Sequence, residues 1–168
     1  MAIERRSNQQ LLLHGVVGGV LAGVVFMLAE MLISAAMGGP VFGPLRMIGS
    51  IVLGAQALAA TFPLATAALV GLIVHLVLSA IYGVIFVYLV AYTRQMDAST
   101  GMLLLYGALF GVALWVINFL LVAPIAVPQF TRVDQFWMGF VPHTIFFGAV
   151  LGGYVAVVRP GRVERPAR

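Results

Sequence analysis

The chain has 168 residues, of which 62% are hydrophobic and only 8% are charged, with a formal net charge of +4. Soluble domains typically carry about 25% charged residues, so this composition indicates lipid as the solvent. The absence of cysteine excludes disulfides, thiolate catalysis, iron–sulfur clusters and thiolate zinc sites. All the cations are arginines at segment ends, a distribution that does not indicate nucleic acid as a partner.

Four stretches reach the length of about 20 apolar residues that an α-helix needs to cross a bilayer. They run over about 11–37, 63–92, 102–122 and 133–158, the third ended by Pro124 and Pro128 and the fourth by Arg159 and Pro160. Such long unbroken runs differ from the ~10-residue alternating spans of a membrane β-barrel. The sequence therefore predicts one all-α transmembrane domain over residues 1–168, built as a four-helix bundle.

The first span carries Glu30, the strongest functional signal in the chain. Glu30 follows Gly23 by seven residues and shares the helix face of Gly15, Gly19 and Gly23. Because small residues four apart let helices approach closely in lipid, this face is expected to point into the bundle. A carboxylate at this depth costs about 2.5 kcal/mol or more unless it is protonated or paired. Glu30 is therefore a functional candidate or a structural residue, protonated or paired with Arg46.

The connection between the first two spans is long and apolar, and residues 43–59 predict a short helical segment. Pro44 suits the start of a helix, and Arg46 and Ser50 lie four residues apart on one face. Two interpretations are open. One is an interfacial lid with a snorkelling arginine, and the other is a re-entrant element that lines a site.

Three further polar residues lie in the later spans: His75, Asn118 and His143. At a rise of ~1.5 Å per residue, Glu30, His75 and His143 fall in a band less than ~10 Å thick in the outer half of the membrane. Pro142 can kink the fourth span. His143 lies opposite Gly152 on a regular helix, so its inward orientation depends on that kink.

The chemistry of this band leaves several alternatives open. Two histidines and a carboxylate suit zinc, manganese, iron or copper, so Glu30, His75 and His143 are metal-ligand candidates. His75 and His143 are haem-binding candidates, since two histidines on facing helices can ligate haem. A proton relay would use the same residue types. Asn118 and Arg46 are accompanying polar residues, and no motif identifies a catalytic residue, so a non-enzyme is favoured over an enzyme.

An internal repeat is indicated by the starts of the first and third spans. Residues 11–20 (LLLHGVVGGV) match residues 103–112 (LLLYGALFGV) at six of ten positions. The second and fourth spans align on His75 and His143. The pattern predicts two duplicated helical hairpins related by an axis along the membrane normal. The small-residue stripes are interpreted as packing within the bundle, with homodimerisation as the alternative.

The arginines predict the orientation through the positive-inside rule. Arg46 and Arg132 fall on one side, and the other seven fall on the opposite side: Arg5, Arg6, Arg94, Arg159, Arg162, Arg165 and Arg168. Both termini are therefore expected in the cytoplasm, with the chain in a bacterial-type inner membrane.

From the second span onward the pattern resembles a known group of proteins. The resembling residues are His75-x-x-x-Ser79-x-x-Tyr82-Gly83-x-x-Phe86, Gly107-x-x-x-Gly111, Asn118-Phe119 with a following proline turn, and His143-x-x-Phe146. This pattern resembles the small bacterial inner-membrane proteins of the YagU-like type. The resemblance implies a multi-span inner-membrane protein and implies no chemistry.

Three classes of function follow. The first is a small membrane protein whose buried His/Glu site binds a metal or haem or relays protons. The second is a structural or accessory subunit of a larger membrane complex, in which the same residues only lock helices together. The third is a small transporter that works as an oligomer, because four spans enclose little volume. The lipid bilayer is the expected partner in all three.

Overall fold

The computed structural model describes residues 2–132 and 136–160, and the side chains of residues 8–131 and 139–160. Throughout this part of the chain every regular element is helical, and four helices are long and apolar enough to cross a membrane. Span 1 is Asn8–Ala36, span 2 is Leu64–Tyr92, span 3 is Thr100–Ala126 and span 4 is Gly139–Val158. The predicted all-α, four-span architecture is thereby confirmed.

The short helix predicted between spans 1 and 2 is also present, as Gly43–Leu53 with Pro44 in its first turn. Gly38 and Gly54 have positive φ angles of 78° and 77°, where a side chain would be strained, and these two residues end span 1 and the short helix. The short helix therefore starts and stops where the sequence allows the backbone to reverse.

Spans 3 and 4 each contain a π-helical segment, Val116–Val122 and Pro142–Ala149 respectively. The prediction that Pro124 ends the third span was wrong, because Pro124 lies in the first turn of the α-helical segment Ala123–Ala126 that follows the π segment. Proline has no backbone N–H group, so at that position no hydrogen-bond donor is left without a partner. Pro142 likewise opens a π segment, which is a rare conformation that often marks functional positions.

Within each hairpin, glycines bring two helix backbones into direct contact. In the first hairpin, a Cβ on Gly15 would lie 2.6 Å from the Cα of Val84, and Gly19 packs on the carbonyl of Ser79. In the second hairpin, Gly107 packs on the carbonyl of Gly148 and Gly111 on that of His143. The predicted use of the small-residue stripes inside the bundle is therefore confirmed, and both hairpins share one packing pattern.

This pattern corrects the alignment of the two histidines. Gly19 and Gly111, which match in the repeat, pack on the carbonyls of Ser79 and His143 respectively. His143 therefore corresponds to Ser79, and His75 lies one helical turn away from the equivalent position. The predicted alignment of His75 with His143 was therefore wrong by four residues. It matched the two positions by residue type, whereas the glycine contacts determine which positions of the two hairpins are equivalent.

Span 1 lies between spans 2 and 4, and span 3 packs on span 4. Spans 2 and 3 are consecutive in the chain, but they meet chiefly through long side chains. The rings of Phe86 and Phe110 are 5.2 Å apart, and the hydroxyl of Tyr82 donates a 2.9 Å hydrogen bond to Asn118 Oδ1. The contact between these two spans is called the seam below.

The short helix packs closely along the start of span 2. Gly71 faces the carbonyl of Leu45, Gly49 faces the carbonyl of Ala67, and Ser50 is fully buried. These contacts hold the short helix against the bundle, and both interpretations, interfacial lid and re-entrant element, stay open. Its depth relative to the lipid stays a prediction.

Arg46 does not pair with Glu30, so the alternative in which these two residues form an ion pair is not realised. The Arg46 guanidinium donates hydrogen bonds to the backbone carbonyls of Ala57, at 2.8 Å, of Ala59, and of Phe62, at 3.3 Å. The arginine therefore holds the loop between the short helix and span 2, and three carbonyls satisfy its donor groups.

Candidate functional site

A cavity of about 1110 Å³ lies in the half of the bundle that contains the short helix. All four spans and the short helix contribute to its walls, and most of its lining side chains are apolar. The structure brings four predicted site residues, Glu30, His75, Asn118 and His143, to this one cavity, while Arg46 lies outside its lining. Polar groups converging in a mostly apolar cavity of this size are typical of a ligand site.

Glu30 is partly buried and lines the cavity, as its position on the glycine face predicted. Among the described residues, no side chain or backbone group makes a hydrogen bond or an ion pair with its carboxyl group. Phe26 lies on the same face of span 1, four residues or about 6 Å along the helix axis. Glu30 therefore presents its carboxyl group to the cavity without a structural task in holding helices together.

His75 is buried between spans 1 and 2, and its Nε2 donates a 2.8 Å hydrogen bond to the carbonyl of Gly23. Ser79 Oγ lies 3.5 Å from the same nitrogen. Since a carbonyl only accepts, Nε2 carries the hydrogen, and Nδ1 of the neutral ring is an acceptor. His75 thus locks two spans together, as the accessory-subunit interpretation requires, and also offers one unprotonated nitrogen.

His143 lies in the π segment of span 4 and faces the interior, although its position opposite Gly152 on a regular helix left this open. Its Nδ1 donates a 2.7 Å hydrogen bond to the carbonyl of Gly139, one turn earlier in the same span. This bond fixes the ring without joining two helices, and it leaves Nε2 of the neutral ring as an acceptor. Its contacts with other spans are made by the ring, which packs on Phe26 of span 1 and Phe119 of span 3.

Phe26 separates the two imidazoles, and the sequence analysis did not identify it. Its ring stacks on His75 with centroids 5.2 Å apart and meets His143 edge-on at 4.8 Å. Within the described residues, no group of three or more histidine, aspartate or glutamate side chains is arranged to hold a metal ion. His75 Nε2 is bonded to Gly23, which leaves Nδ1 of His75 and Nε2 of His143 as the acceptor nitrogens. The metal, haem and proton-relay interpretations all stay predictions.

Aromatic rings form much of the remaining wall. Phe119 meets His143 edge-on at 5.6 Å and stacks near Trp115 at 6.5 Å. Tyr82 and Phe147 are also part of the lining. Periodicity could have suggested these residues, because Trp115 and Phe119 are four apart and follow Gly107 and Gly111 on the same helix. The π segments change the directions of the Asn118 and His143 side chains, and residue periodicity gives no comparable signal for them.

The cavity opens at an apolar mouth between the short helix and the second half of span 3. Six lining residues are exposed on the outside of the bundle: Ile51, Leu120, Val122, Pro124, Ala126 and Thr131. Gln129 crosses beside this mouth, and its Nε2 donates hydrogen bonds to the carbonyl and the hydroxyl of Ser50. The exposed edge of the cavity is therefore mostly apolar, with the Thr131 hydroxyl as its polar group.

The fold and this cavity define an all-α, multi-span membrane protein with an internal polar site. Comparisons with protein-family models, curated proteins and solved structures gave no match for the chain. The resemblance to the YagU-like type accordingly stays a prediction, and the function is argued from the site alone.

Proposed function

We propose that this membrane protein binds a small molecule in its cavity and exchanges a proton with it through Glu30. The observation that carries the proposal is the Glu30 carboxyl group, which faces the cavity and has no hydrogen-bond or ion-pair partner among the described residues. A carboxylate inside a membrane is stable only when it is protonated or paired. A proton and a bound ligand are then alternative partners for the same group.

The two histidines support proton exchange. Each imidazole already donates one hydrogen bond to a backbone carbonyl, and each has a second nitrogen that can accept a proton. His75, Tyr82 and His143 are the titratable side chains that face the cavity from spans 2 and 4 among those described. The short helix contributes no charged side chain to it, because Arg46 is bonded to the loop.

The structure supports binding in preference to passage through the bundle. The half away from the short helix is filled by side chains that have almost no exposed surface, including Phe86 at 1%, Leu103 at 0% and Leu151 at 0%. These residues form one continuous cluster with Val155 and Phe147. A ligand that enters from the apolar mouth therefore meets a closed floor.

The test is infrared difference spectroscopy of the purified full-length protein and its Glu30→Gln variant across a pH titration. A protonated carboxylic acid has a carbonyl stretching band separate from that of a carboxylate. We expect wild-type protein to show such a band, to lose it as the pH rises, and to lack it in Glu30→Gln. Asp97→Asn is the matched control, since Asp97 is exposed in the turn between spans 2 and 3 and lies outside the cavity lining.

Identical titrations of wild type and Glu30→Gln would show that Glu30 does not exchange a proton, and the proposal would be withdrawn. A fold check by circular dichroism keeps the comparison valid. Since glutamine is nearly the same shape as protonated glutamic acid, the variant is expected to retain the helical spectrum.

A further inference from the structure

The walls of the cavity identify the chemical class of the ligand, and this inference rests on the proposed function. Three properties decide it: the charge of the polar groups, the nature of the apolar surfaces, and the route of entry. The first two favour a cation over an anion, and the third favours a ligand that is apolar outside its charge.

The polar groups favour positive charge. Glu30 brings a carboxyl group without a partner, and the free nitrogens of neutral His75 and His143 are acceptors. Arg46, the cation of the short helix, is held by three backbone carbonyls and is absent from the lining. An anion would therefore meet acceptors and a carboxyl group, whereas a cation would neutralise the carboxylate.

The apolar surfaces favour the same charge. Aromatic rings carry negative potential on their faces, and they attract cations within about 6 Å of the ring centroid. The lining contains a cluster of such rings around the polar residues: Phe26, Tyr82, Trp115, Phe119, Phe130 and Phe147. An aromatic wall combined with one carboxylate is the arrangement that recognises organic ammonium and related ions.

The exposed edge of the cavity favours a ligand that is apolar outside its charge. Five of its six exposed residues are apolar, Ile51, Leu120, Val122, Pro124 and Ala126, and the sixth is Thr131. A strongly hydrated ion such as sodium would lose its water shell there and find few replacement ligands. A cation that spreads its charge under hydrocarbon groups passes this mouth at a smaller desolvation cost.

We propose that the cavity binds a hydrophobic organic monocation, whose charge pairs with the Glu30 carboxylate and whose apolar groups lie against Phe26, Trp115 and Phe119. Binding to the protonated site displaces the Glu30 proton. One cation enters and one proton leaves, so the charge of the occupied site equals that of the protonated empty site.

The experiment compares two probes of the same shape and opposite charge, tetraphenylphosphonium and tetraphenylborate, on purified full-length protein in uncharged detergent. Binding is measured by isothermal titration calorimetry in buffers of different protonation enthalpy, which also counts the protons released. We expect saturable binding of tetraphenylphosphonium with close to one proton released, and no saturable binding of tetraphenylborate.

Variants assign the result to the site. Glu30→Gln is expected to weaken tetraphenylphosphonium binding at least tenfold and to abolish proton release, while Glu30→Asp retains both in part. Asp97→Asn is expected to bind as wild type does. Equal binding of both probes, or phosphonium binding that Glu30→Gln leaves unchanged, would overturn the inference, as would no saturable phosphonium binding at all.

The two proposals fail separately. If the infrared titration shows that Glu30 exchanges a proton but tetraphenylphosphonium does not bind, the ligand class is wrong and the proton-exchanging site stands. If Glu30→Gln leaves the infrared titration unchanged, the proposed function fails first, and the ligand class fails with it.

Discussion

Gln129 is joined to Ser50 across 79 residues of sequence, with its amide 3.1 Å from the Ser50 carbonyl and 3.2 Å from its hydroxyl. These bonds tie the short helix to the segment that follows span 3, beside the mouth of the cavity. They are the described hydrogen bonds between these two walls, so their loss should loosen the mouth.

The first prediction removes this link with Gln129→Ala. In this cysteine-free chain, a single cysteine introduced by Ile48→Cys reports access to the cavity. Gln129→Ala should raise its rate of reaction with a maleimide several-fold. Gln56→Ala is the control, since Gln56 bonds only to Leu53 within its own loop, at 3.1 Å. Equal rates in all three proteins would mean that the link does not restrain the mouth.

The second prediction concerns Glu30 and Arg46. Because Arg46 bonds to three carbonyls and not to Glu30, Arg46→Gln should destabilise the detergent-solubilised protein by about 2 kcal/mol, and Glu30→Gln by much less. The effects should add to within about 0.5 kcal/mol in the double variant. Thermal unfolding of the four proteins measures the coupling, and a coupling above 1 kcal/mol would restore the ion pair that the sequence suggested.

The third prediction tests the glycine contacts between spans 1 and 2. A Cβ on Gly83 would overlap the carbonyl of Gly15 and the backbone of Gly19, so Gly83→Ala should destabilise by about 1–3 kcal/mol. Gly101→Ala is matched to it, since Gly101 is also helical and has open space around it. That variant should melt at or slightly above the wild-type temperature, because alanine favours helix. Similar melting of both variants would contradict the tight packing.

The fourth prediction concerns Thr144, whose hydroxyl is buried and has no hydrogen-bond partner among the described residues. Thr144→Val keeps the shape and removes the unsatisfied hydroxyl, so it should stabilise the protein by about 1 kcal/mol. Thr144→Ala should not, because it also removes a methyl group from a packed site. A lower melting temperature for Thr144→Val would indicate a partner for the hydroxyl.

The fifth prediction is the orientation that the arginines indicate. A fluorescent reporter that matures only in the cytoplasm, fused after Arg168, should be bright. The same reporter inserted after Gly54, in the loop beyond the short helix, should be dark, and an alkaline phosphatase reporter should give the opposite pattern. Phosphatase activity at the Arg168 fusion would invert the orientation, and the short helix would then lie at the cytoplasmic side.

Helix number, the approximate positions of the spans and the convergence of Glu30, His75, Asn118 and His143 could be predicted from the sequence, because apolar length, rise per residue and glycine spacing are local properties. Whether Glu30 pairs with Arg46 stayed open, because opposite charges at similar depth do not reveal that backbone carbonyls are closer. The histidine alignment failed for a related reason. A π segment adds residues to a turn, which shifts the register of span 4 without any change in hydropathy that could be detected in advance.

The position of the Phe26 ring between the two imidazoles could not be predicted from the sequence either. The chain has eleven phenylalanines, and nothing in the sequence distinguishes Phe26 from the others. Its position between the histidines results from the way spans 1, 2 and 4 pack together. The aromatic rings of the cavity wall likewise come together only where the different spans pack against one another. Single-helix periodicity shows which face is buried, but not which rings from different helices share that interior.

The seam between spans 2 and 3 is held by few contacts. It contains a tyrosine–asparagine hydrogen bond and one aromatic contact, whereas spans 1 and 2 share a continuous backbone interface. The two hairpins are also joined where span 1 meets span 4: Gly18 packs on the Tyr154 ring, His14 Nδ1 lies 2.8 Å from the Tyr154 hydroxyl, and Phe26 meets Phe147. Opening the seam would therefore turn the hairpins about the contact between spans 1 and 4, and because Asn118 belongs both to the seam and to the cavity lining, that movement would change the shape of the cavity.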